Sequence, residues 1–76
     1  MQFLVWFDDT PKTPVADKIR AAIAAYVVRF QAHPNLVLVN VIDHMLLADV
    51  QVRHERTVQP NTFWVGREDG AALPPA

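Results

Sequence analysis

The sequence lacks several residues on which common enzymes and small scaffolds depend. Its 76 residues include no cysteine, which excludes disulfide bonds, thiolate metal sites and thiol catalysis. Serine is also absent, so a serine nucleophile is excluded. The only two glycines, Gly66 and Gly70, form no phosphate-binding loop. These residues therefore encode neither a disulfide-stapled mini-protein nor a P-loop or serine-dependent enzyme.

The sequence also has little net charge and no long apolar run. Seven basic and eight acidic residues leave a formal charge of −1, which argues against nucleic-acid binding driven mainly by bulk charge. No apolar run approaches the roughly 20 residues of a membrane-spanning helix, and the first residues do not resemble a signal peptide. We therefore expect a cytoplasmic protein with no membrane contact.

The length predicts one small domain of marginal size. We expect a compact domain over residues 1–67 and a flexible, proline-rich tail over residues 68–76. A chain this short buries only roughly 60% of its surface on folding. Self-association, most simply as a homodimer, would compensate for the small core.

The order of apolar patterns predicts an α/β fold that borders on α+β. A continuous apolar run over 3–7 indicates a strand, a helical stripe follows from Pro14 to about Ala32, and 36–42 is a second apolar run. Strand, helix and strand form a βαβ unit with parallel strands. Alternation over 50–58 and the short segment 62–65 predict a C-terminal β-hairpin. The expected architecture is a mixed four-stranded sheet with one long helix on one face.

Both faces of the first two predicted strands are apolar, whereas one helix covers only one face of a sheet. This mismatch predicts a partner, bound either by stacking two sheets or by docking two helices. The outer side of the helix carries a stripe of small residues, and we list it as a candidate interface: Ala21, Ala24, Ala25 and Val28. A simply alanine-rich, exposed helix is the alternative.

Acidic residues follow the first two strands and form a candidate catalytic or metal site. Asp8 and Asp9 follow the first strand, and Asn40, Asp43 and His44 follow the second. If these strands are parallel neighbours, all five residues lie at the carboxyl edge of the sheet, where α/β proteins bind ligands. Asp8, Asp9 and Asp43 would then hold Mg²⁺ or Mn²⁺, with His44 as general acid or base. The alternative is that these residues simply end strands and begin turns.

A second set of residues suggests contact with nucleic acid. Arg53 and Arg56 lie on the predicted third strand and would contact phosphates, while Trp64 would stack on a base. The alternative is that the charges prevent unwanted pairing at the edge of the sheet.

Two related segments carry a resemblance to known proteins. Residues 34–40 read PNLVLVN and residues 60–66 read PNTFWVG, and both follow the opening FLVWFDD. With this layout, the chain over residues 2–66 resembles a group of small bacterial proteins of unassigned function. The resemblance implies a shared compact fold and no activity.

Together these features favour a small, non-enzymatic, self-associating accessory or interaction domain that needs no cofactor. A Mg²⁺- or Mn²⁺-dependent phosphodiesterase or nuclease-like enzyme is the alternative, and a nucleic-acid-binding module is the third hypothesis.

Overall fold

A computed structural model describes residues 3–68 of the chain. The elements follow the order β1 (Phe3–Phe7), α1 (Val15–Phe30), β2 (Leu36–Val39), a 3-10 helix (Val41–Asp43), β3 (Gln51–His54) and β4 (Thr62–Gly66). Most of the predicted tail lies outside the described residues. Its first residue, Glu68, donates its backbone N–H to the Asn35 side chain at 2.9 Å. Among the described residues no helix is long and apolar enough to cross a membrane.

Backbone hydrogen bonds to nearby residues define both ends of helix α1. Pro14 is the N-cap residue, and its carbonyl accepts the N–H groups of Asp17 and Lys18 at 3.0 and 3.2 Å. Gln31 adopts the left-handed conformation at the other end, and its N–H donates to the Val27 carbonyl at 2.9 Å. The helix therefore ends at Phe30, two residues earlier than the apolar periodicity predicts.

The four strands form one mixed sheet in the order β1-β4-β2-β3. Strand β4 pairs antiparallel with both β1 and β2, and β2 pairs parallel with β3. The predicted class, an α/β fold with a mixed four-stranded sheet and one long helix, is confirmed. Strands β1 and β2 are parallel, as the βαβ prediction requires.

The order of the strands differs from the one the sequence suggested. Strand β4 lies between β1 and β2, so these two strands are not neighbours. Strands β3 and β4 are consecutive and run in opposite directions, but β2 lies between them. The physical reason is burial: Phe63 and Val65 of β4 are fully buried and need the centre of the sheet. Strand β3 carries Arg53 and His54, and it lies at an edge.

The core lies on one side of the sheet. A cluster of buried residues joins helix and strands and comprises Ile19, Ala22 and Tyr26 of α1 with Val37, Val39, Val52, Phe63 and Val65 of the sheet. Leu4 and Trp6 of β1 pack against this cluster, as do Met45, Leu47 and Val50 from the segment before β3. Helix α1 and this segment therefore cover the same face.

Side chains alternate along each strand, so the remaining positions point to the opposite face. We call this the open face, and its members are Phe3, Val5, Phe7, Leu36, Leu38, Gln51, Arg53, Thr62 and Trp64. The exposed fractions of Val5, Phe7 and Trp64 are 52%, 63% and 36%, whereas Leu36 on the same face is only 3% exposed. The Phe3 and Trp64 rings meet edge to face, with centroids 6.1 Å apart. No helix covers the open face within the part of the chain that the structure describes.

Because the core cluster lies on one side of the sheet, we expect two phenylalanine-to-alanine substitutions to lower the free energy of unfolding by very different amounts. Phe63→Ala removes a fully buried ring from the centre of the sheet and should lower the free energy of unfolding by about 3–5 kcal/mol. Phe7→Ala removes a largely exposed ring and should change it by less than about 1 kcal/mol at low protein concentration. Urea unfolding followed by far-ultraviolet circular dichroism measures both, and similar losses for the two variants would contradict a core confined to the helix side.

Candidate functional site

The carboxyl ends of β1 and β2 lie at the same end of the sheet, which we call its carboxyl edge. They lie on either side of the residue that leads into β4. That residue is Asn61, in the left-handed conformation with φ 62°. Its carbonyl accepts the N–H of Asp8 at 2.9 Å, and its N–H donates to Oδ2 of Asp43 at 2.8 Å. The structure thus brings Asp8 and Asp43 to the same edge, as expected from the sequence. They approach it from opposite sides of β4 rather than from neighbouring strands.

Asp43 and Asn40 hold the turn after β2. Asp43 is only 6% exposed and accepts the Asn61 N–H. The side-chain oxygen of Asn40 accepts the N–H of Ile42 at 3.1 Å, and its nitrogen donates to the carbonyl of Val58 at 2.9 Å. These bonds begin the 3-10 helix, which is why β2 ends at Val39 instead of continuing through the apolar residues Val41 and Ile42.

Asp8 and Asp9 occupy the turn after β1. Oδ1 of Asp8 accepts the backbone N–H of Thr10 at 2.9 Å, and Asp9 is exposed. Hydrogen bonding by the Thr10 side chain, and next by its backbone, lowers the pKa of Asp8 below the ordinary 3.8. Because the ionised form is favoured in the folded state, its contribution to stability is present above pH 3.8 and is lost as the pH falls through the lowered pKa.

His44 points toward β3 rather than toward the aspartates of the β1 turn. Its Nε2 lies 3.2 Å from the Val52 carbonyl, and its ring meets the His54 ring edge to face with centroids 5.6 Å apart. Within residues 3–68 no three histidine or acidic side chains are grouped so that they could hold a metal ion. Asp8 and Asp43 instead accept backbone N–H groups.

A shallow pocket lies beside this edge, where the parallel strands β2 and β3 end. Its volume is about 290 Å³, and it is lined by Asn40, Val41, His54, Glu55 and Arg56. The sequence prediction missed it because it paired β3 with β4, whereas β3 in fact lies beside β2. The run of charged residues after β3 is the only signal that marks it in the sequence. Its one amide side chain, Asn40, already bonds to the backbone.

The residues proposed for nucleic-acid contact are separated by the fold. Arg53 and Trp64 both lie on the open face, in the row that joins Val5, Trp64, Leu38 and Arg53 across the four strands. The guanidinium of Arg53 forms an ion pair with Glu68. Arg56 follows β3 and lines the pocket at the carboxyl edge instead.

The small-residue stripe of α1 lies on the side away from the sheet, as its spacing predicts. Ala21, Ala24 and Val28 are exposed and Ala25 is half-buried, with Val28 75% exposed. This stripe and the open face thus both carry exposed apolar side chains, and Val41, Ile42 and Leu46 after β2 are exposed as well, at 62%, 70% and 82%.

Comparison with models of known protein families, with curated proteins and with solved structures finds no match to this chain.

The hydrogen bond between Asp43 and Asn61 predicts that mutation of Asp43 destabilises the fold. Asp43→Ala leaves the Asn61 N–H without its acceptor and should lower the free energy of unfolding by about 1–3 kcal/mol. Asp43→Asn keeps an acceptor oxygen and should recover most of that loss, whereas Asp9→Ala at an exposed position should cost less than about 0.5 kcal/mol. Urea unfolding measures all three, and equal stability of the two alanine variants would contradict this role.

The same contacts predict the response to divalent cations. Asp8 and Asp43 already accept backbone N–H groups, so millimolar Mg²⁺ or Mn²⁺ should leave the melting temperature unchanged. Melting followed by circular dichroism tests this. A rise of several degrees that Asp43→Asn abolishes would instead support the metal-dependent enzyme.

Proposed function

We propose that this chain is a small, non-enzymatic module whose role is to self-associate as an accessory or interaction subunit in the cytoplasm, with the open face as the contact between copies. The observation that carries the proposal is the row of exposed apolar side chains on this face. Val5, Phe7 and Trp64 remain 52%, 63% and 36% exposed, although each belongs to a regular strand. Water contact with such a surface is unfavourable, and its burial is the main driving force for association.

The charges of the open face favour a second copy over a nucleic acid. Arg53 is the basic residue in the central row of this face, and Glu68 of the same chain neutralises it. Two copies can therefore approach without repulsion between unpaired like charges. A nucleic-acid surface needs an excess of positive charge to bind phosphates, whereas the chain as a whole carries −1.

The open face also offers more to a partner than the outer side of α1. Alanine side chains contribute little apolar area, so Val28 is the single large apolar residue of the small-residue stripe. The open face presents three aromatic rings, those of Phe3, Phe7 and Trp64. Aromatic side chains contribute most of the energy at protein interfaces. Stacking of two sheets face to face, about 10 Å apart, is a common arrangement.

The size of the face sets the expected strength of the contact. Four strands at about 4.8 Å spacing and five residues at about 3.3 Å give a projected area of roughly 300 Å² per copy. Two copies then bury on the order of 600 Å² in projection, which lies below the usual range for a stable interface. We therefore expect weak, concentration-dependent association through this face alone.

Sedimentation equilibrium on the full chain and two matched variants tests the proposal. The wild-type mass should rise above that of one chain between micromolar and submillimolar concentrations. Trp64→Glu places a charge in the open face and should lower the mass at each concentration, whereas Val28→Glu adds the same charge on α1 and should leave it unchanged.

A wild-type mass of one chain at every concentration would contradict the proposal. Loss of association only with Val28→Glu would move the contact to the outer side of α1. Circular dichroism of each variant establishes that it is folded before its mass is compared.

A further inference from the structure

Strand β1 forms one lateral edge of the sheet and is regular over its whole length. All five residues, Phe3–Phe7, pair one to one with β4, so the strand contains no bulge. The N–H of Asp8 donates to the Asn61 carbonyl, so residue 8 directs its backbone toward β4. In an antiparallel pair, alternate residues point their backbone groups to opposite sides. Trp6 and Leu4 therefore also face β4, whereas Phe3, Val5 and Phe7 direct their N–H and C=O groups away from the sheet.

The two edges of the sheet are built differently. Strand β3, at the other edge, has four residues, contains Arg53 and His54 and is followed by Glu55 and Arg56. Charges and a short strand are the usual features that prevent pairing with another chain. Strand β1 has neither charge nor proline nor glycine. Of the two edges, only the β1 edge lacks these protective features, and within residues 3–68 no other strand pairs with it.

We propose that the β1 edge binds the β1 edge of a second copy, antiparallel, so that two four-stranded sheets join into one continuous eight-stranded sheet. This inference rests on the proposed function, because it specifies the geometry of self-association. A two-fold axis at Val5 places each Val5 opposite its counterpart and each Phe3 opposite the partner's Phe7. The outward backbone groups of Phe3, Val5 and Phe7 then form about six hydrogen bonds between the chains.

The side chains are compatible with this register on both faces of the joined sheet. On the open face, Phe7, which is 63% exposed, gains an aromatic neighbour in the Phe3 of the second copy. On the helix face, each Leu4 lies opposite the Trp6 of the other copy. The five positions carry no charged side chain, so the pairing opposes no like charges.

Edge pairing also enlarges the open face, which in a single chain is small for a stable interface. Joining the sheets makes the two open faces continuous and about doubles the area that can stack on another pair. The edge contact then forms the pair of chains, and stacking of the open faces joins two pairs. Trp64→Glu should therefore stop association at two chains: although Trp64 pairs with Val5, it lies on β4, and its side chain points to the open face and away from the outward backbone groups of β1.

Amide hydrogen exchange on the full-length wild-type chain is the direct test. Val5 and Phe7 N–H groups point away from the sheet and should exchange rapidly in a single chain. In the paired sheet they should exchange at least about tenfold more slowly at submillimolar than at micromolar concentration. Stacking of open faces without edge pairing would leave these two amides unprotected, because it adds no backbone hydrogen bonds.

Two substitutions at Val5 distinguish the contribution of its backbone N–H to association from that of its side chain. Proline removes the outward N–H without breaking a bond to β4, and edge strands tolerate it at such positions. In the Trp64→Glu background, adding Val5→Pro should reduce the mass from two chains to one, whereas adding Val5→Thr, which keeps the N–H and the strand preference, should leave it at two. Circular dichroism shows whether the proline variant is folded; the exchange experiment needs no substitution.

The outcomes distinguish the two proposals. A wild-type chain that associates while Val5 and Phe7 exchange rapidly at all concentrations overturns edge pairing and leaves self-association intact. A wild-type chain that is monomeric throughout overturns both. Protection of these amides in the full chain at concentrations where its mass is that of one chain overturns edge pairing, because the protecting contact is then within one chain.

Discussion

Strand β4 is the element on which the rest of this structure depends. It pairs along its length with β1 on one side and β2 on the other, and its residues Phe63 and Val65 are fully buried against α1. Without β4, β1 would have no partner in the sheet, and the parallel pair of β2 and β3 would stand alone. Two-stranded units are at best marginally stable in water. The last strand among the described residues is therefore the one that completes the sheet.

The position of β4 between β1 and β2 also explains why Asp8 and Asp43 form hydrogen bonds with the backbone of Asn61. The chain enters β4 through Asn61, whose left-handed backbone needs both its carbonyl and its N–H bonded at a crowded edge. Asp8 supplies the donor and Asp43 the acceptor. Asp8 and Asp43, which resemble metal ligands in the sequence, thus connect the start of β4 by hydrogen bonds to the ends of β1 and β2.

Within residues 3–68, the core cluster lies on one side of the sheet. A single 16-residue helix and the segment after His44 cover one face of the sheet, and residues 3–68 contain no second α-helix for the other. The apolar side chains of Val5, Phe7 and Trp64 stay exposed as a result. The open face and the uncharged edge at β1 share Val5 and Phe7. This arrangement is why we infer contact between copies rather than catalysis.

The sequence by itself determined the class of the fold, because the apolar runs at 3–7 and 36–42 and the helical stripe between them reflect local periodicity. It also determined that one helix cannot cover strands that are apolar on both sides. Only the tertiary structure decided the order of the strands, because strand order depends on burial across the whole sheet, and nothing local to 50–66 distinguishes a hairpin from a strand that crosses β2. The same holds for Asp8 and Asp43: their positions after strands could be predicted, but their shared contact with Asn61 could not. That contact exists only because β4 occupies the centre of the sheet.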